Sequence, residues 1–148
     1  MAFEIEHKYL VANDSYKDMA TGKVEIIQGY LNRNPDRTVR VRKMGDKGFL
    51  TVKSRNNGAK RLEFEYEIPG HDAEEILKLA EPGIVEKTRY LVPFDGLMWE
   101  VDEFHGSLKG VVLAEVEIPE DNIDYSKPSF IGEDITGDTR YYNSVLKV

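Results

Sequence analysis

The chain contains no cysteine among its 148 residues. A disulfide framework and a thiolate metal site are therefore both excluded. No apolar run approaches the roughly 18 residues that a membrane-spanning helix needs. The first residues also lack the apolar segment of a secretory signal. We therefore expect a cytoplasmic protein with no membrane partner.

The chain also has no excess of positive charge. Its 20 Lys and Arg residues stand against 27 Asp and Glu residues, which gives a net charge of −7 at pH 7. Nucleic-acid binding depends on clustered Lys and Arg, so no nucleic-acid partner is expected. Repeats, low-complexity segments and linkers are missing as well. The length then predicts a single domain over residues 1–148.

Period-2 alternation of apolar and polar residues is the main pattern that is present. It predicts eight β-strands. Turn sequences at 45–48, 56–58 and 93–96 separate several of them and favour hairpins, so the sheet should be antiparallel. Eight is a strand number at which a sheet can close into a barrel. The strands are predicted at residues 2–9, 24–32, 38–44, 49–54, 61–68, 84–92, 97–105 and 111–119.

Helical patterns are few and short. A helix is predicted over residues 71–80, because Ile76, Leu77 and Ala80 form an apolar face. Asp72 with Glu75 three residues later suggests a capping box with Asp72 as the N-cap. Short helices are also predicted over 14–20 and over the tail 138–146. The fold class is therefore α+β, with a closed eight-stranded antiparallel β-barrel and a few helices packed outside it.

Alternation assigns each strand residue to a face, because successive side chains point to opposite sides of a sheet. In the first strand Glu4, Glu6 and Lys8 share one face, and His7 lies on the other as an outward structural residue. The same parity gathers nine acids and seven bases on one face. The acids are Glu4, Glu6, Glu63, Glu65, Glu67, Glu100, Asp102, Glu115 and Glu117, and the bases are Lys8, Arg40, Arg42, Lys53, Arg61, Lys87 and Arg89.

A solvated sheet face would be the simplest explanation of this pattern. Such faces usually mix Thr, Ser, Gln and Asn with the charges, whereas this face is almost wholly ionic. Surface salt bridges contribute only about 0–1 kcal/mol each, so stability gives little reason for the concentration. We interpret the charged face as the lumen of a closed barrel. A transmembrane barrel shows the same alternation, but the lack of an export signal argues against one.

A lumen with both signs of charge favours one class of ligand. Arg and Lys side chains hold phosphate oxygens, and carboxylates without His or Cys partners suit Mg²⁺ or Mn²⁺. A short polyphosphate chelated to a divalent cation fits both halves of the set. No Walker-type loop or kinase signature is present, so side chains would have to hold the phosphates.

An ordered series of short motifs makes this chain resemble the CYTH superfamily, the triphosphate tunnel metalloenzymes. It begins with EIEHK, which is similar to the ExExK signature of that family, and it continues over nearly the whole chain. The other motifs are QGYL (28–31), VRVRK (39–43), TVK (51–53), RLEFE (61–65), EKTRY (86–90), WEVDEF (99–104), AEVEI (114–118) and TRYYN (139–143).

The resemblance implies a tunnel of eight antiparallel strands in a short bacterial-type triphosphatase, with residue roles carried over by matching motif. In WEVDEF it favours Asp102 over Glu100 as a metal ligand, and Glu67 falls outside the motifs. The implied ligands of Mg²⁺ or Mn²⁺ are Glu4, Glu6, Glu63, Glu65, Asp102, Glu115 and Glu117. The implied phosphate-binding residues are Lys8, Arg40, Arg42, Lys53, Arg61, Lys87 and Arg89.

Two candidates remain for the group that activates the attacking water. Either Lys53 acts as the base with Tyr30 as its partner, or a carboxylate acts with a second metal ion. In the second case Lys53 is only a phosphate ligand and Tyr30 a packing aromatic.

Tight turns leave little room for recognition of a base, which favours inorganic tripolyphosphate as the substrate. Thiamine or nucleoside triphosphate hydrolysis, a class IV-type adenylate cyclase and a non-catalytic polyphosphate-binding module remain alternatives. A homodimer is left open.

Overall fold

The computed structural model describes residues 3–142 of the chain. Nine strands and two α-helices lie in this range. No helix within it is both long and apolar enough to cross a membrane. The strands are β1 (Phe3–Val11), β2 (Gly22–Asn32), β3 (Arg37–Met44), β4 (Lys47–Ser54), β5 (Lys60–Pro69), β6 (Val85–Phe94), β7 (Leu97–Phe104), β8 (Val112–Glu117) and β9 (Ile131–Asp134). The helices are α1 (Tyr16–Met19) and α2 (Gly70–Leu77).

The sheet closes on itself, as predicted. The strand order is β5-β4-β3-β2-β6-β7-β8-β1, every pair is antiparallel, and β1 pairs with β5 to complete the barrel. The closing contact is short: only Phe3 to Ile5 of β1 pair with β5. Further along the same edge of β1, Tyr9 and Val11 pair with β9, a ninth strand that the sequence pattern did not predict.

Two predicted helix features differ in the structure. Helix α2 begins at Gly70 with Pro69 as its N-cap, so the prediction of Asp72 as the N-cap is wrong. Strand β5 runs directly into the helix, and a Cβ on Gly70 would lie 2.3 Å from the carbonyl oxygen of Asp46. The predicted tail helix over 138–146 begins as a single 3₁₀ turn, Thr139–Tyr141, and residues 143–146 lie outside the described range.

The main apolar core lies outside the barrel. The outward faces of β1, β6, β7 and β8 carry Tyr9, Val92, Trp99 and Val116, which pack with Tyr16 of α1 and other buried residues. Helix α2 covers another part of the wall, since a Cβ on Gly48 would lie 2.7 Å from the Ala73 Cβ. This arrangement confirms that the apolar face of the strands points outward under helices.

The interior is not charged throughout. Val85, Phe104 and Leu113 lie on the inward faces of β6, β7 and β8, as their pairing with interior residues shows. They form a second buried cluster with Ile135, which follows β9. An apolar core therefore fills part of the barrel interior and confines the charged region to the remainder.

Candidate active site

Strand register brings the predicted charged residues to one interior surface. Glu6 lies opposite Glu117 and Lys8 opposite Glu115 across β1 and β8. The same inward face continues around the whole barrel, because directly paired residues share a face of the sheet. The remaining interior pairs include Glu4 with Arg61, Lys53 with Glu63, Thr51 with Glu65, Arg40 with Thr51, and Glu100 with Glu115.

These side chains surround a cavity of about 190 Å³. Seven acids and six bases line it, and they are drawn from seven of the eight barrel strands, with Tyr30 added by β2. The lining residues are Glu4, Glu6, Lys8, Tyr30, Thr38, Arg40, Arg42, Thr51, Lys53, Asn56, Arg61, Glu63, Glu65, Arg89, Glu100, Glu115, Glu117, Thr136, Gly137 and Tyr142.

Most of the predicted site residues therefore meet at this cavity. The exceptions are Lys87 and Asp102, which face the interior but do not line the cavity. The two side chains are almost fully buried and are joined by an ion pair with a Lys87 Nζ to Asp102 Oδ2 distance of 2.7 Å. Lys87 Nζ also lies 5.4 Å from the centre of the Phe104 ring, beside the apolar cluster.

Three arginines form the basic side of the cavity. Arg40 and Arg42 both approach one oxygen of Glu65, at 3.6 and 3.1 Å. Burial, together with the neighbouring charges of Arg40 and Arg89, lowers the pKa of Arg42 to about 9. Arg40 and Arg42 share the single carboxylate of Glu65, so a polyanion bound here would relieve the repulsion between them.

A second ionic group surrounds Glu4, which is 4% exposed. Lys53 Nζ donates to both carboxylate oxygens of Glu4 at 3.1 Å, and Arg61 Nε donates to one of them at 3.2 Å. Lys53 Nζ is also 3.2 Å from a Glu63 oxygen. Burial alone would raise the pKa of Glu4, but the charge of Lys53 and a proton shared with Glu63 lower it.

Two pairs of carboxyl groups share protons within the cavity. Burial raises the pKa of Glu6 well above its usual range, as do the negative charges of Glu115 and Glu4. Its partner Glu115 keeps a low pKa despite burial, because Lys8 is close and Glu6 donates a hydrogen bond to it. In the other pair, burial raises the pKa of Glu63 to about 7, and Glu4 accepts the shared proton. Each pair holds a proton where a cation could bind instead.

The donor set suits a hard divalent cation in kind, because it consists of carboxylate oxygens with no imidazole or thiolate. Within residues 3–142, no group of three or more carboxylate and imidazole side chains is close enough to hold a metal ion. Mg²⁺ is commonly bound by only one or two carboxylates together with substrate phosphates and water. The Glu6–Glu115 pair fits that mode, with Glu117 opposite Glu6 in the register.

The predicted pair Tyr30 and Lys53 both line the cavity. Tyr30 is 5% exposed, and the Arg33 guanidinium lies 5.3 Å from its ring centre. Lys8 Nζ donates to the carbonyl oxygen of Tyr141 at 3.1 Å, and Tyr142 of the same motif lines the cavity. The aromatic side chains that line the cavity among the described residues are thus tyrosines alone, Tyr30 and Tyr142.

Some lining residues were not predicted from the sequence. Thr38 and Thr51 share the parity of Arg40 and Lys53, so the alternation that found the charges would have found them too. Thr136 and Gly137 had no such signal, because they follow the unpredicted strand β9. The family resemblance favours Asp102 over Glu100 as a metal ligand, but it is Glu100 that lines the cavity.

The raised pKa of Glu63 predicts how stability depends on pH in EDTA. Between about pH 4.5 and about 7 the folded protein binds more protons at Glu63 than the unfolded chain does. That stabilisation is complete below about pH 4.5 and is lost as the pH rises through about 7. As the pH rises through this range, we expect the loss of the Glu63 contribution to lower the free energy of unfolding by on the order of 1–3 kcal/mol. Urea unfolding of Glu63→Gln at pH 5 and 7.5 should show a smaller fall than wild type, and an equal fall would contradict the shared proton.

Comparisons with known proteins agree with this geometry. Residues 2–143 match the family model of the CYTH domain. A curated relative from Acetivibrio thermocellus, named inorganic triphosphatase, is 50% identical over 99% of this chain and 94% of its own length. Another of the same name, from Nitrosomonas europaea, is 38% identical over 97% and 95%. A crystal structure of an inorganic triphosphatase superposes with a TM-score of 0.66 at 34% identity, covering 98% of this chain and 94% of that one.

Proposed function

Because the chain belongs to the CYTH domain family, we propose that it hydrolyses inorganic tripolyphosphate to pyrophosphate and phosphate with a divalent cation. The observation that carries the proposal is the cavity itself, in which six cationic side chains and two proton-sharing carboxyl pairs face one space. A polyanion binder without catalysis would need the cations but not the carboxyl pairs. The two curated relatives are named for the same activity.

The proposed phosphate-binding residues are the cations that reach the cavity, because Arg presents a planar fork to phosphate oxygens and Lys a point charge. Phosphoryl transfer needs little covalent chemistry from a protein, so positioning and charge neutralisation supply most of the rate. Held between basic residues, the triphosphate is oriented for attack by water on a terminal phosphorus. The residues are Lys8, Arg40, Arg42, Lys53, Arg61 and Arg89, and the buried Lys87 stays a prediction.

Family membership implies a divalent cation, and we propose Mg²⁺ or Mn²⁺. The cation would be held by Glu6 and Glu115, with Glu117 and Glu4 next to them, and it would neutralise charge that develops on the phosphate oxygens. Glu4, Glu63 and Glu65 are at present engaged by Lys53, Arg61, Arg40 and Arg42. To act as metal ligands, these three carboxylates would first have to break those ion pairs. Bound polyphosphate could then pair with the Lys and Arg side chains that they release.

Inorganic triphosphate is preferred over a nucleotide or thiamine ester because of the cavity lining. A base or thiazole ring needs apolar or aromatic surface to stack on. Among the described lining residues only Tyr30 and Tyr142 are aromatic, and the others are charged, small or polar. A single domain over residues 1–148 and a cytoplasmic location also remain predictions, and a homodimer stays open.

A substrate panel tests the proposal. We expect phosphate release from tripolyphosphate with Mg²⁺ or Mn²⁺, no release in EDTA, and at least about tenfold lower kcat/KM for ATP and thiamine triphosphate, since those substrates bring groups for which the cavity offers no matching surface. Cyclic AMP and pyrophosphate from ATP would show a cyclase instead. No product from any of the three would favour the binding module.

A further inference from the structure

Strand β7 places two acids on the barrel interior, Glu100 and Asp102, and the register separates their surroundings. Glu100 lies opposite Glu115 of β8, within the acidic part of the cavity. Asp102 lies opposite Leu113, a member of the apolar cluster. The family resemblance assigns Asp102 to the metal set, but its neighbour on β8 is thus a hydrocarbon side chain and not a carboxylate.

Both oxygens of Asp102 are already occupied by cations. Arg89 binds it in a two-pronged contact, with Nε donating to Oδ1 at 2.8 Å and Nη2 donating to Oδ2 at 3.0 Å. Lys87 Nζ lies 2.7 Å from the same Oδ2. Asp102 is 2% exposed, so neither oxygen faces the cavity.

Arg89 links this buried group to the cavity. Its Nη1 donates to Glu100 Oε2 at 3.2 Å, and the Arg89 side chain lines the cavity together with Glu100. The Asp102 carboxylate therefore fixes the plane of the guanidinium from behind. A two-pronged Arg–carboxylate contact restricts both the position and the orientation of the guanidinium, which a single point contact does not do.

We propose that Asp102 is a positioning residue that holds Arg89 against the cavity, and that Glu100, not Asp102, is the acid of β7 that faces bound cation and phosphate. The proposal rests on the proposed function only in taking Arg89 as a phosphate-binding residue. Glu4 is also paired with cationic side chains, but it lines the cavity, so a bound cation can replace those side chains as its partner. Asp102 lies behind Arg89, where it can act on the substrate only through that side chain.

The first test measures metal binding without turnover. Mn²⁺ is titrated into the substrate-free protein and free Mn²⁺ is followed by electron paramagnetic resonance. We expect Asp102→Asn to keep the Mn²⁺ Kd within about threefold of wild type, whereas Glu6→Gln weakens binding at least about tenfold because a carboxylate that contacts the cation directly is lost. Weakening by Asp102→Asn equal to that by Glu6→Gln would overturn the proposal.

The second test measures anion binding in EDTA. Isothermal titration with tripolyphosphate should show that Asp102→Asn weakens the Kd by about 10- to 100-fold, as expected when a residue that orients a ligand group is lost. Glu67→Gln, an inward residue of β5 that does not line the cavity, serves as the matched control and should leave the Kd unchanged. An unchanged Kd for Asp102→Asn would also overturn the proposal.

A further variant guards against failure to fold, because Asp102→Asn leaves Lys87 buried beside a neutral group. Lys87→Met combined with Asp102→Asn removes the buried pair as a unit, which proteins tolerate far better than removal of one member. If Asp102 is an anchor, this double variant still binds Mn²⁺ like wild type and binds tripolyphosphate weakly. Hydrolysis of tripolyphosphate by the wild type is assayed in parallel. A wild type that binds Mn²⁺ and tripolyphosphate but is inactive would refute the proposed function and leave the role of Asp102 unchanged.

Discussion

Glu6→Gln is expected to lower kcat for tripolyphosphate hydrolysis by at least about 100-fold, since it removes a charge that the proposed cation site requires. Gln has the same shape and can still donate a hydrogen bond to Glu115, as the neutral form of Glu6 can. The neutral amide, however, cannot become a carboxylate when a cation arrives. Steady-state phosphate release at saturating substrate, with Mg²⁺ raised until the rate is constant, measures the effect.

The fold should survive this change. In the resting protein, burial and the nearby Glu115 and Glu4 charges raise the pKa of Glu6 and favour its neutral form, which Gln resembles. The thermal midpoint should not fall. The neighbouring change Ile5→Asp should do the opposite, because Ile5 points outward, is 9% exposed and cannot accommodate a charge.

A third variant checks that the loss is specific to the cavity. Glu67→Gln removes an inward acid that does not line the cavity, and its kcat should match wild type. Full activity of Glu6→Gln would show that the charged interior is not where catalysis occurs. A loss of activity in both Gln variants would point to the general charge of the barrel rather than to a bound cation.

Sequence alternation predicted the barrel interior well, because the constraint is geometric. Once Glu6 and Lys8 are assigned to a face, backbone pairing with β8 brings Glu117 and Glu115 opposite them. A shift of one residue would move every charge of β1 to the outside. Consistent parity in several strands therefore carried more information about the site than any one motif did.

Alternation does not show how far along the barrel axis the charged lining of the cavity extends. Lys87 and Asp102 have the same parity as Arg89, yet they lie deeper, next to Phe104 and Leu113. The depth of a residue depends on the stagger of the strands around the barrel, which pattern alone does not give. The sequence therefore predicted which face these residues occupy, but not that they miss the cavity.

Strand β9 escaped prediction for a different reason. Ile131–Asp134 has only four residues and shows little alternation, since three of its residues are exposed and one of those is Gly132. It exists because the edge of β1 beyond Ile5 is left open by β5, and an unpaired edge needs hydrogen-bonding partners. Such a strand is dictated by tertiary structure, as is the start of α2 at Gly70 directly after β5.

Lys53→Met is expected to lower kcat/KM for tripolyphosphate by at least about 100-fold, and Lys53→Arg should recover most of that loss. In the structure the Lys53 ammonium group bridges Glu4 and Glu63, with three carboxylate oxygens within 3.2 Å. Removal of the cation would leave the buried Glu4 with Arg61 as its remaining cationic partner, and it would take a partner from Glu63 and a phosphate ligand from the substrate. Arg retains the charge and can bind both acids and phosphate.

The comparison of these two variants separates the two roles predicted for Lys53. Arg is not deprotonated in proteins, so it can hold phosphate but cannot take a proton from water. If Lys53 were the base, Lys53→Arg would lose kcat by about 10²–10⁴-fold, as far as Lys53→Met does, and Tyr30→Phe would lower kcat as well. The contacts with Glu4 and Glu63 favour the other outcome: Lys53→Arg keeps kcat within about tenfold, because a residue that only binds substrate contributes to ground state and transition state alike. Tyr30→Phe then leaves kcat unchanged, because Tyr30 is in that case a packing aromatic.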